Sequence, residues 1–341
     1  MTDRNSVEHL SIVVTTQTTD DVTQTTADNA STSSSSHGIQ FYFQCAVVVI
    51  GIVGTAANAL ILYALVASKQ HNKHVLIFYQ NVLDFVSSVF LIITASAKLY
   101  YFYSTGTDGY WLCVLIKSEY INWVVILASK INLIFVTVER YLKVVYAVWS
   151  KKKLRNWMLY LAMAFALISG FAHMTGTIFA TTKVVDGVCK AYVFWKSFAS
   201  LIAYRIFHFL YFYVIILITF IFCYGRILVV IRRQARAMAS HGSTSGQIQS
   251  QQMQINVIKT MIFVSAFFAV CDLPVNLHFL FILIIDPALT SVNNALYYAA
   301  MFMSFLYICA NPFIYATKFD PVRNILQKLI PCRKTSVQPN Q

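Results

Sequence analysis

The feature that most constrains this chain is a series of seven apolar stretches, each about 20 residues long or more. A helix of that length crosses a hydrocarbon core of about 30 Å. In lipid only helices and closed barrels satisfy their backbone polar groups, and these stretches lack the period of two that barrel strands show. We therefore predict an all-α membrane protein, a bundle of seven transmembrane helices, with spans at 41–67, 76–97, 112–138, 157–180, 198–231, 257–285 and 292–317.

The composition argues against a soluble enzyme. Of the 341 residues, 58% are hydrophobic and 11% are charged, whereas about a quarter of a soluble domain is charged. We find no zinc-ligand spacing, nucleophile elbow or phosphate-binding loop, so we expect a protein that is not an enzyme. The seven cysteines are too few for a disulfide scaffold in a chain of this length.

Basic residues indicate how the chain is oriented in the membrane. Of the 26 Lys and Arg, 18 lie around the first, second and third inner connections and after the last span, whereas the amino-terminal tail has only Arg4. Basic residues near spans favour the cytoplasmic side. We therefore predict a multi-pass protein of the plasma membrane with its amino terminus outside. The net charge of +13 then reflects this asymmetry, and we expect no nucleic-acid partner.

The two ends of the chain differ from the spans. Between Ser11 and Ser36, 14 of 26 residues are Ser or Thr and none is aromatic, so we predict that residues 1–38 form a disordered extracellular tail. Asn29 begins a glycosylation sequon there. The seven-span domain covers 39–317.

After the last span, apolar residues at helical spacing predict an amphipathic helix at 318–330 that lies on membrane lipid. A short cytoplasmic tail, 331–341, follows it. Cys332, beside Arg333, is either a palmitoylation site or a plain cytosolic thiol.

Short polar motifs fall in order on the predicted spans. They are Asn58 with Asp84; Glu139-Arg140-Tyr141; Tyr224-Gly225-Arg226-Ile227; Phe268 with Cys271-Asp272-Leu273-Pro274; and Asn311-Pro312-Phe313-Ile314-Tyr315. Each is weak alone, but the ordered set is specific. Over about residues 40–332 the chain resembles rhodopsin-like (class A) G-protein-coupled receptors. The segments 139–145 and 310–321 resemble those of invertebrate orphan members.

The resemblance implies a receptor that binds an extracellular ligand and catalyses nucleotide exchange on a heterotrimeric G protein, with arrestin as a second partner. It assigns the coupling switch to Glu139, Arg140, Tyr141, Tyr224, Asn311, Pro312 and Tyr315. The guanidinium of Arg140 stays charged and is a planar fork of donors. It can pair with Glu139 at rest and meet the G protein when the helices part. The alternative is a basic residue that only anchors a helix end.

The resemblance also implies a polar core and a loop disulfide. Asn58, Asp84, Ser129 and Asn311 would hold a sodium ion with waters, since oxygen ligands suit a hard cation. The alternative is a protonated Asp84 in a hydrogen-bonded core. Cys113 at the outer end of the third span and Cys189 in the second outer loop are the one extracellular pair of cysteines, and we predict that they are bridged.

The ligand pocket of the family lies in the outer half of the bundle. Here Asn122 replaces the aspartate of amine receptors, and Phe305 replaces the lysine that binds retinal, so we expect neither an ammonium anchor nor retinal. An apolar pocket with few uncharged polar groups suits a peptide, a lipid-like molecule or a neutral small ligand. His208 alone fits a core histidine as well as a ligand contact. The predicted pocket is Asn122, Trp123, His208, Asp272, Asn276, Phe279, Met301 and Phe305.

Several positions depart from the family pattern. Asp272 stands where a tryptophan is usual, Ile216 where a proline is usual, and Gln254 near the usual acidic lock residue; Cys113 is further than usual from Arg140.

Two of the intramembrane charges lie at similar depth. Lys130 is about 15 Å along its helix from Arg140, and Asp272 about 20 Å from Lys259. We therefore predict that Lys130 and Asp272 pair, the alternative being that each is satisfied separately. A transporter that uses Asp84, Lys130 and Asp272 is the alternative function, although the sequence shows no internal duplication.

Overall fold

The structure, a computed structural model, describes residues 25–99, 106–241, 245–285, 295–318, 322–323 and 325–326. These ranges contain ten α-helices: α1 (Thr25–Ala67), α2 (Val75–Leu99), α3 (Gly106–Leu112), α4 (Tyr120–Val145), α5 (Ala147–Lys153), α6 (Asn156–Thr181), α7 (Phe198–Phe209), α8 (Ile215–His241), α9 (Ser245–Ile285) and α10 (Ala295–Lys318).

Seven helical segments are long and apolar enough to cross a membrane, which confirms the predicted fold class. We call them the first to seventh spans: Gly38–Ala67, Val75–Leu99, Thr107–Val145, Asn156–Thr181, Phe198–Arg236, Ile255–Leu280 and Ala295–Thr317. The third span is the most buried of them. Its helix α4 packs against α2, α6 and α8, which places it at the centre of the bundle.

The third span is not a continuous α-helix. Helix α3 leads into a π-helical turn, Cys113–Lys117, and α4 begins after Glu119, whose φ of 57° lies in the left-handed region. A π-helical turn fits more residues into the same length of helix than α-helical geometry does. This accounts for the long sequence separation between Cys113 and Arg140.

The fifth span contains a second π-helical turn, Leu210–Val214, between α7 and α8. The turn ends two residues before Ile216, where the family usually has a proline. The receptors that the sequence resembles have a proline that interrupts this helix, whereas here the backbone is interrupted without one. The inner wall of this span is still well packed, since Ile216 is fully buried.

The second outer loop forms a β-hairpin that we did not predict. Strands β1 (Lys183–Val185) and β2 (Val188–Lys190) are antiparallel, and Val184 pairs with Cys189. Between the strands, Asp186 and Gly187 both have positive φ, at 53° and 74°. Asp-Gly is a common signal for a two-residue hairpin turn, so the hairpin could have been predicted from the sequence.

The ends differ in part from the predictions. Helix α1 begins at Thr25, so it includes residues 25–38, which we predicted to be disordered. A helix that has already formed in the apolar span extends by one hydrogen bond per residue. Within the predicted surface helix, 322–323 and 325–326 are helical and Val322 is buried; the rest of 319–341 lies outside the described residues. The domain boundaries therefore stay predictions.

Candidate functional site

Arg140 lies at the inner end of α4 and is mostly buried. Its Nη2 is 2.7 Å from Nδ1 of His74, just before the second span, and 3.5 Å from Oε2 of Glu139. Burial and, to a lesser extent, the charges of Arg140, Lys143 and Lys73 together lower the pKa of His74 to about 3. The imidazole is therefore neutral near pH 7 and can accept a hydrogen bond from the guanidinium.

The carboxylate of Glu139 interacts with two basic side chains, those of Arg140 and Lys143. Its Oε1 accepts a hydrogen bond from Nζ of Lys143, one helical turn further, at 2.5 Å. The other oxygen is the one that faces Arg140, at the longer distance of 3.5 Å. The arginine is therefore held by a shared carboxylate and by His74, a partner that the motif did not reveal.

The other predicted switch residues fall into separate contacts. The hydroxyl of Tyr224 lies 3.1 Å from Oγ1 of Thr137 and 3.0 Å from Oγ of Ser265, which joins the third, fifth and sixth spans. Tyr315 is buried, and Pro312 lies inside α10. Tyr141 instead packs its ring against Tyr146 and Phe222, away from Arg140.

The predicted polar core forms around Asp84, which is fully buried. Its carboxylate accepts hydrogen bonds from Oγ of Ser129 at 2.9 Å and from Nδ2 of Asn311 at 2.9 Å. Asn58 takes no part in this contact, because its amide donates to the backbone oxygen of Gly54 at 3.0 Å. The sequence analysis missed Gln80, whose Nε2 donates to Asp84 at 3.2 Å. A glutamine four residues before Asp84, on the same helix face, was the available signal.

The structure confirms the predicted pairing of Lys130 with Asp272. Nζ of Lys130 lies 2.8 Å from both carboxylate oxygens, and both side chains are buried. Ser304 donates to Oδ1 and Asn276 to Oδ2, each at 2.8 Å. The carboxylate therefore has four hydrogen bonds from the third, sixth and seventh spans, which lowers the cost of burying this ion pair.

The predicted ligand residues include Asp272 of this ion pair and Asn276, which donates to it. Asn122 is fully buried and accepts a hydrogen bond from Ser87 at 2.8 Å. Its Nδ2 has no hydrogen-bond partner in the described part of the chain. Trp123 contacts the ring of Phe305, with centroids 6.1 Å apart, and Met301 is buried.

Two groups in the outer half of the bundle were missed from the sequence. The guanidinium of Arg205 lies 4.5 Å above the ring of Phe279, and its Nη1 donates to the backbone oxygen of Phe279 at 3.4 Å. His208 is 3.2 Å from His173, which also contacts the hydroxyl of Tyr204 at 3.1 Å. His208 thus belongs to a polar cluster between the fourth and fifth spans.

A cavity of about 450 Å³ lies beside this cluster. Gly176 and Phe207, which line it, are both exposed, so the cavity opens on the outer surface of the fourth and fifth spans. None of the eight predicted ligand residues lines it. This cavity is therefore separate from the predicted ligand residues.

The second outer loop is fixed over the bundle at two points. The predicted disulfide between Cys113 and Cys189 is present. Tyr192, further along the loop, donates its hydroxyl to the backbone oxygen of Ser118 at 3.0 Å, and burial raises the pKa of this phenol well above its usual value. Near the same rim, Lys98 forms an ion pair with Glu119.

Three predicted residues cannot be placed in this site. The side chains of Asn29 and Gln254 lie outside the described part of the structure, and so does Cys332. Glycosylation and palmitoylation therefore stay predictions, as does the departure at Gln254 from the acidic residue that is usual nearby.

Comparison with known proteins agrees with this geometry. A search of curated proteins returns no match. The family model described as 7 transmembrane receptor (rhodopsin family) matches residues 57–315, which is most of the chain. The match includes the buried arginine, the polar core and the ion pair described above. The chain therefore belongs to the rhodopsin family of seven-transmembrane receptors.

Proposed function

We propose that this protein is a plasma-membrane receptor that catalyses nucleotide exchange on a heterotrimeric G protein when an extracellular ligand binds. The observation that carries the proposal is the environment of Arg140. A guanidinium that is always charged lies buried at the inner end of the central span, held by a neutral imidazole and a shared carboxylate. Such contacts can be exchanged for a partner's backbone oxygens when the helices separate.

The inner face of the bundle suits an acidic partner. Exposed basic residues surround the inner ends of the third and fifth spans: Lys151, Lys152, Lys153, Arg155, Arg226, Arg232, Arg233 and Arg236. A protein helix that ends in a carboxylate would be attracted to this surface. This favours the carboxyl-terminal helix of a Gα subunit as the element that enters between the spans.

The ion pair between Lys130 and Asp272 is the element we propose as the relay. It joins the third and sixth spans at the layer where other family members have a tryptophan. Asn276 belongs to the predicted ligand pocket and is bound to Asp272. A ligand that draws Asn276 outward would weaken the ion pair and let the sixth span move.

The chemistry of the ligand follows from an unsatisfied amide donor, on Asn122, and from a guanidinium without a carboxylate partner in the described ranges, on Arg205. Nδ2 of Asn122 has no acceptor among the described residues, and no carboxylate there forms an ion pair with Arg205. Both groups are donors, and an arginine binds a carboxylate with two parallel hydrogen bonds. Because the pocket predicted from the sequence did not include Arg205, we propose, in place of a neutral small ligand, a peptide or small molecule that presents a carboxylate toward Arg205.

The remaining parts of the proposal concern the ends of the chain. The amino terminus is extracellular and glycosylated at Asn29, and the surface helix rests on lipid with Cys332 as its acylation site. Arrestin binds the phosphorylated third inner loop and carboxyl tail. These segments are rich in hydroxyl side chains, and phosphate would add negative charge beside basic residues. Relationship to invertebrate orphan receptors is part of the same proposal.

The experiment is nucleotide exchange by purified Gα subunits with the receptor in liposomes. A library of carboxylates, each matched with its amide, supplies the ligands. We expect carboxylates to stimulate exchange and their amides to fail. Arg140→Ala should abolish stimulation, whereas Arg155→Ala, an exposed arginine on the same face, should retain most of it. Stimulation that survives in Arg140→Ala would contradict the switch, and solute flux without exchange would favour a transporter.

A further inference from the structure

Asp84 in the second span is the carboxylate to which the family resemblance assigns a sodium ion. It is fully buried, and three donors already reach it. Oδ1 accepts from Ser129 at 2.9 Å and from Gln80 at 3.2 Å. Oδ2 accepts from Nδ2 of Asn311 at 2.9 Å. Each carboxylate oxygen therefore faces at least one N–H or O–H group.

The orientation of the Gln80 amide is fixed by its neighbours. Nδ2 of Asn132 donates to the backbone oxygen of Leu76 at 3.1 Å, and a backbone oxygen can only accept. The same Nδ2 donates to Oε1 of Gln80 at 2.9 Å. The oxygen of Gln80 is therefore engaged by Asn132, and its nitrogen must point toward Asp84.

The hydroxyl of Ser129 completes the same chain of donors. It accepts a hydrogen bond from Nε2 of Gln80 and donates its one proton to Asp84. Hydrogen bonds thus run in one direction, from Asn132 through Gln80 and Ser129 to the carboxylate. Such chains polarise each bond and strengthen it. One of the two lone pairs of the serine oxygen is thus used by Gln80, and its one proton points at the carboxylate.

A sodium ion does not fit this arrangement. A hard cation needs several oxygen lone pairs directed at one point, whereas the groups around Asp84 direct hydrogens toward it. Oδ1 of Asn58 and of Asn311 have no partner within the described ranges, but they are amide oxygens that water can satisfy. Both amide oxygens are uncharged, so neither compensates the repulsion between a cation and the N–H groups that point at Asp84.

We propose that Gln80 takes the place of sodium, so that the polar core of this receptor is closed to the cation and its resting state is insensitive to it. The amide and hydroxyl donors compensate the charge of Asp84 and join the second, third and seventh spans directly. The proposal goes beyond the coupling function and does not depend on it. A failure to activate a G protein would leave it unaffected.

The test compares thermal unfolding of the purified full-length receptor in sodium chloride and in choline chloride at equal ionic strength. We expect the unmodified receptor to unfold at the same temperature in both salts. Gln80→Leu removes, at similar volume, the amide that donates to Oδ1 of Asp84 and to Oγ of Ser129. It should gain a sodium-specific rise in the unfolding midpoint of about 2–4 °C.

Two further variants make the comparison specific. Gln44→Leu is the same change at another buried glutamine, in the first span, and should respond equally to both salts. Gln80→Leu combined with Asp84→Asn should lose the sodium-specific rise, because the carboxylate is gone.

Two results would overturn the proposal. One is a sodium-specific rise in the unmodified receptor, a measurement that requires no variant. The other is a folded Gln80→Leu variant that unfolds at the same temperature in both salts. If Gln80→Leu does not fold, the linewidth of the sodium-23 NMR signal is measured with the unmodified receptor and with Asp84→Asn. Equal linewidths with the two proteins support the proposal. A broader signal with the unmodified receptor than with Asp84→Asn overturns it.

Discussion

Among single residues, His74 has the clearest consequence for signalling. It lies just outside the second span and receives the guanidinium of Arg140 at 2.7 Å. No ion pair between Arg140 and the sixth span is present in the described ranges, so the resting position of the arginine depends on this contact and on Glu139. A hydrogen bond with a charged partner contributes about 1.5–3 kcal/mol.

We predict that His74→Ala raises basal nucleotide exchange about tenfold or more, because the freed arginine is more often available to the G protein. Exchange on purified Gα without ligand measures this. His71→Ala is the matched control, since His71 packs against Phe78 and is not among the contacts of Arg140. Basal exchange that stays at the wild-type level, with normal surface expression, would show that His74 does not restrain Arg140.

The same histidine predicts a dependence of stability on pH. The pKa of His74 is about 3 in the folded protein, lowered by burial from the model-peptide value of 6.5. Between these values the unfolded chain binds a proton that the folded chain does not. The free energy of unfolding should therefore be largest above pH 6.5 and fall toward pH 3, by up to about 1.4 kcal/mol per pH unit.

His74→Gln should flatten this slope, since glutamine does not titrate. Unfolding midpoints of both proteins between neutral and acidic pH provide the measurement, with His71→Gln as the control. Parallel slopes for wild type and His74→Gln would assign the acid sensitivity to other groups.

At the scale of helices, the ion pair between Lys130 and Asp272 joins the third and sixth spans. Removing one partner leaves the other charge buried, at a cost of about 3–5 kcal/mol, whereas removing both leaves no uncompensated charge. We therefore predict that Lys130→Met with Asp272→Asn is more stable than the worse single variant. Thermal unfolding and nucleotide exchange of the four proteins form a double-mutant cycle. Additive losses would mean that the two residues do not couple.

A second helix-scale prediction concerns the contact between the third and fourth spans. A Cβ on Gly170 would lie 2.5 Å from the backbone oxygen of Val124, whereas a Cβ on Gly176, in the same helix, would meet nothing within 4 Å. Gly170→Ala must therefore push the helices apart. We expect it to lower the unfolding midpoint and surface expression, and Gly176→Ala to leave both unchanged or slightly raised. Equal effects of the two variants would contradict this close approach.

For the whole molecule, the distribution of charge predicts the orientation in the membrane. Because 18 of the 26 basic residues lie on one side, we predict that an epitope at the amino terminus binds antibody on intact cells. Glycosidase should reduce the apparent mass of the wild type but not that of Asn29→Gln. The control is Asn5→Gln, because Asn5 lies in the same tail but outside a sequon, and glycosidase should reduce the mass of this variant as well. An epitope accessible only after permeabilisation would reverse the topology.

The sequence alone determined the features that depend on the length and composition of the apolar stretches and on the depth of a residue along its helix. Seven stretches long enough for the bilayer predicted the seven spans, and the structure has them. The disulfide between Cys113 and Cys189 and the pairing of Lys130 with Asp272 also followed, the first from topology and the second from the constant rise of a helix.

Tertiary structure decided which polar groups actually meet. The contacts of Gln80 with Asp84 and of His74 with Arg140 depend on how each helix is rotated toward its neighbours. In helices that are apolar on every side, the hydrophobic pattern does not define that rotation. For the same reason the motifs did not reveal that Asn58 donates to the backbone of Gly54 or that Tyr141 packs against Phe222. Only packing among the helices turns a set of buried polar residues into a particular hydrogen-bond network.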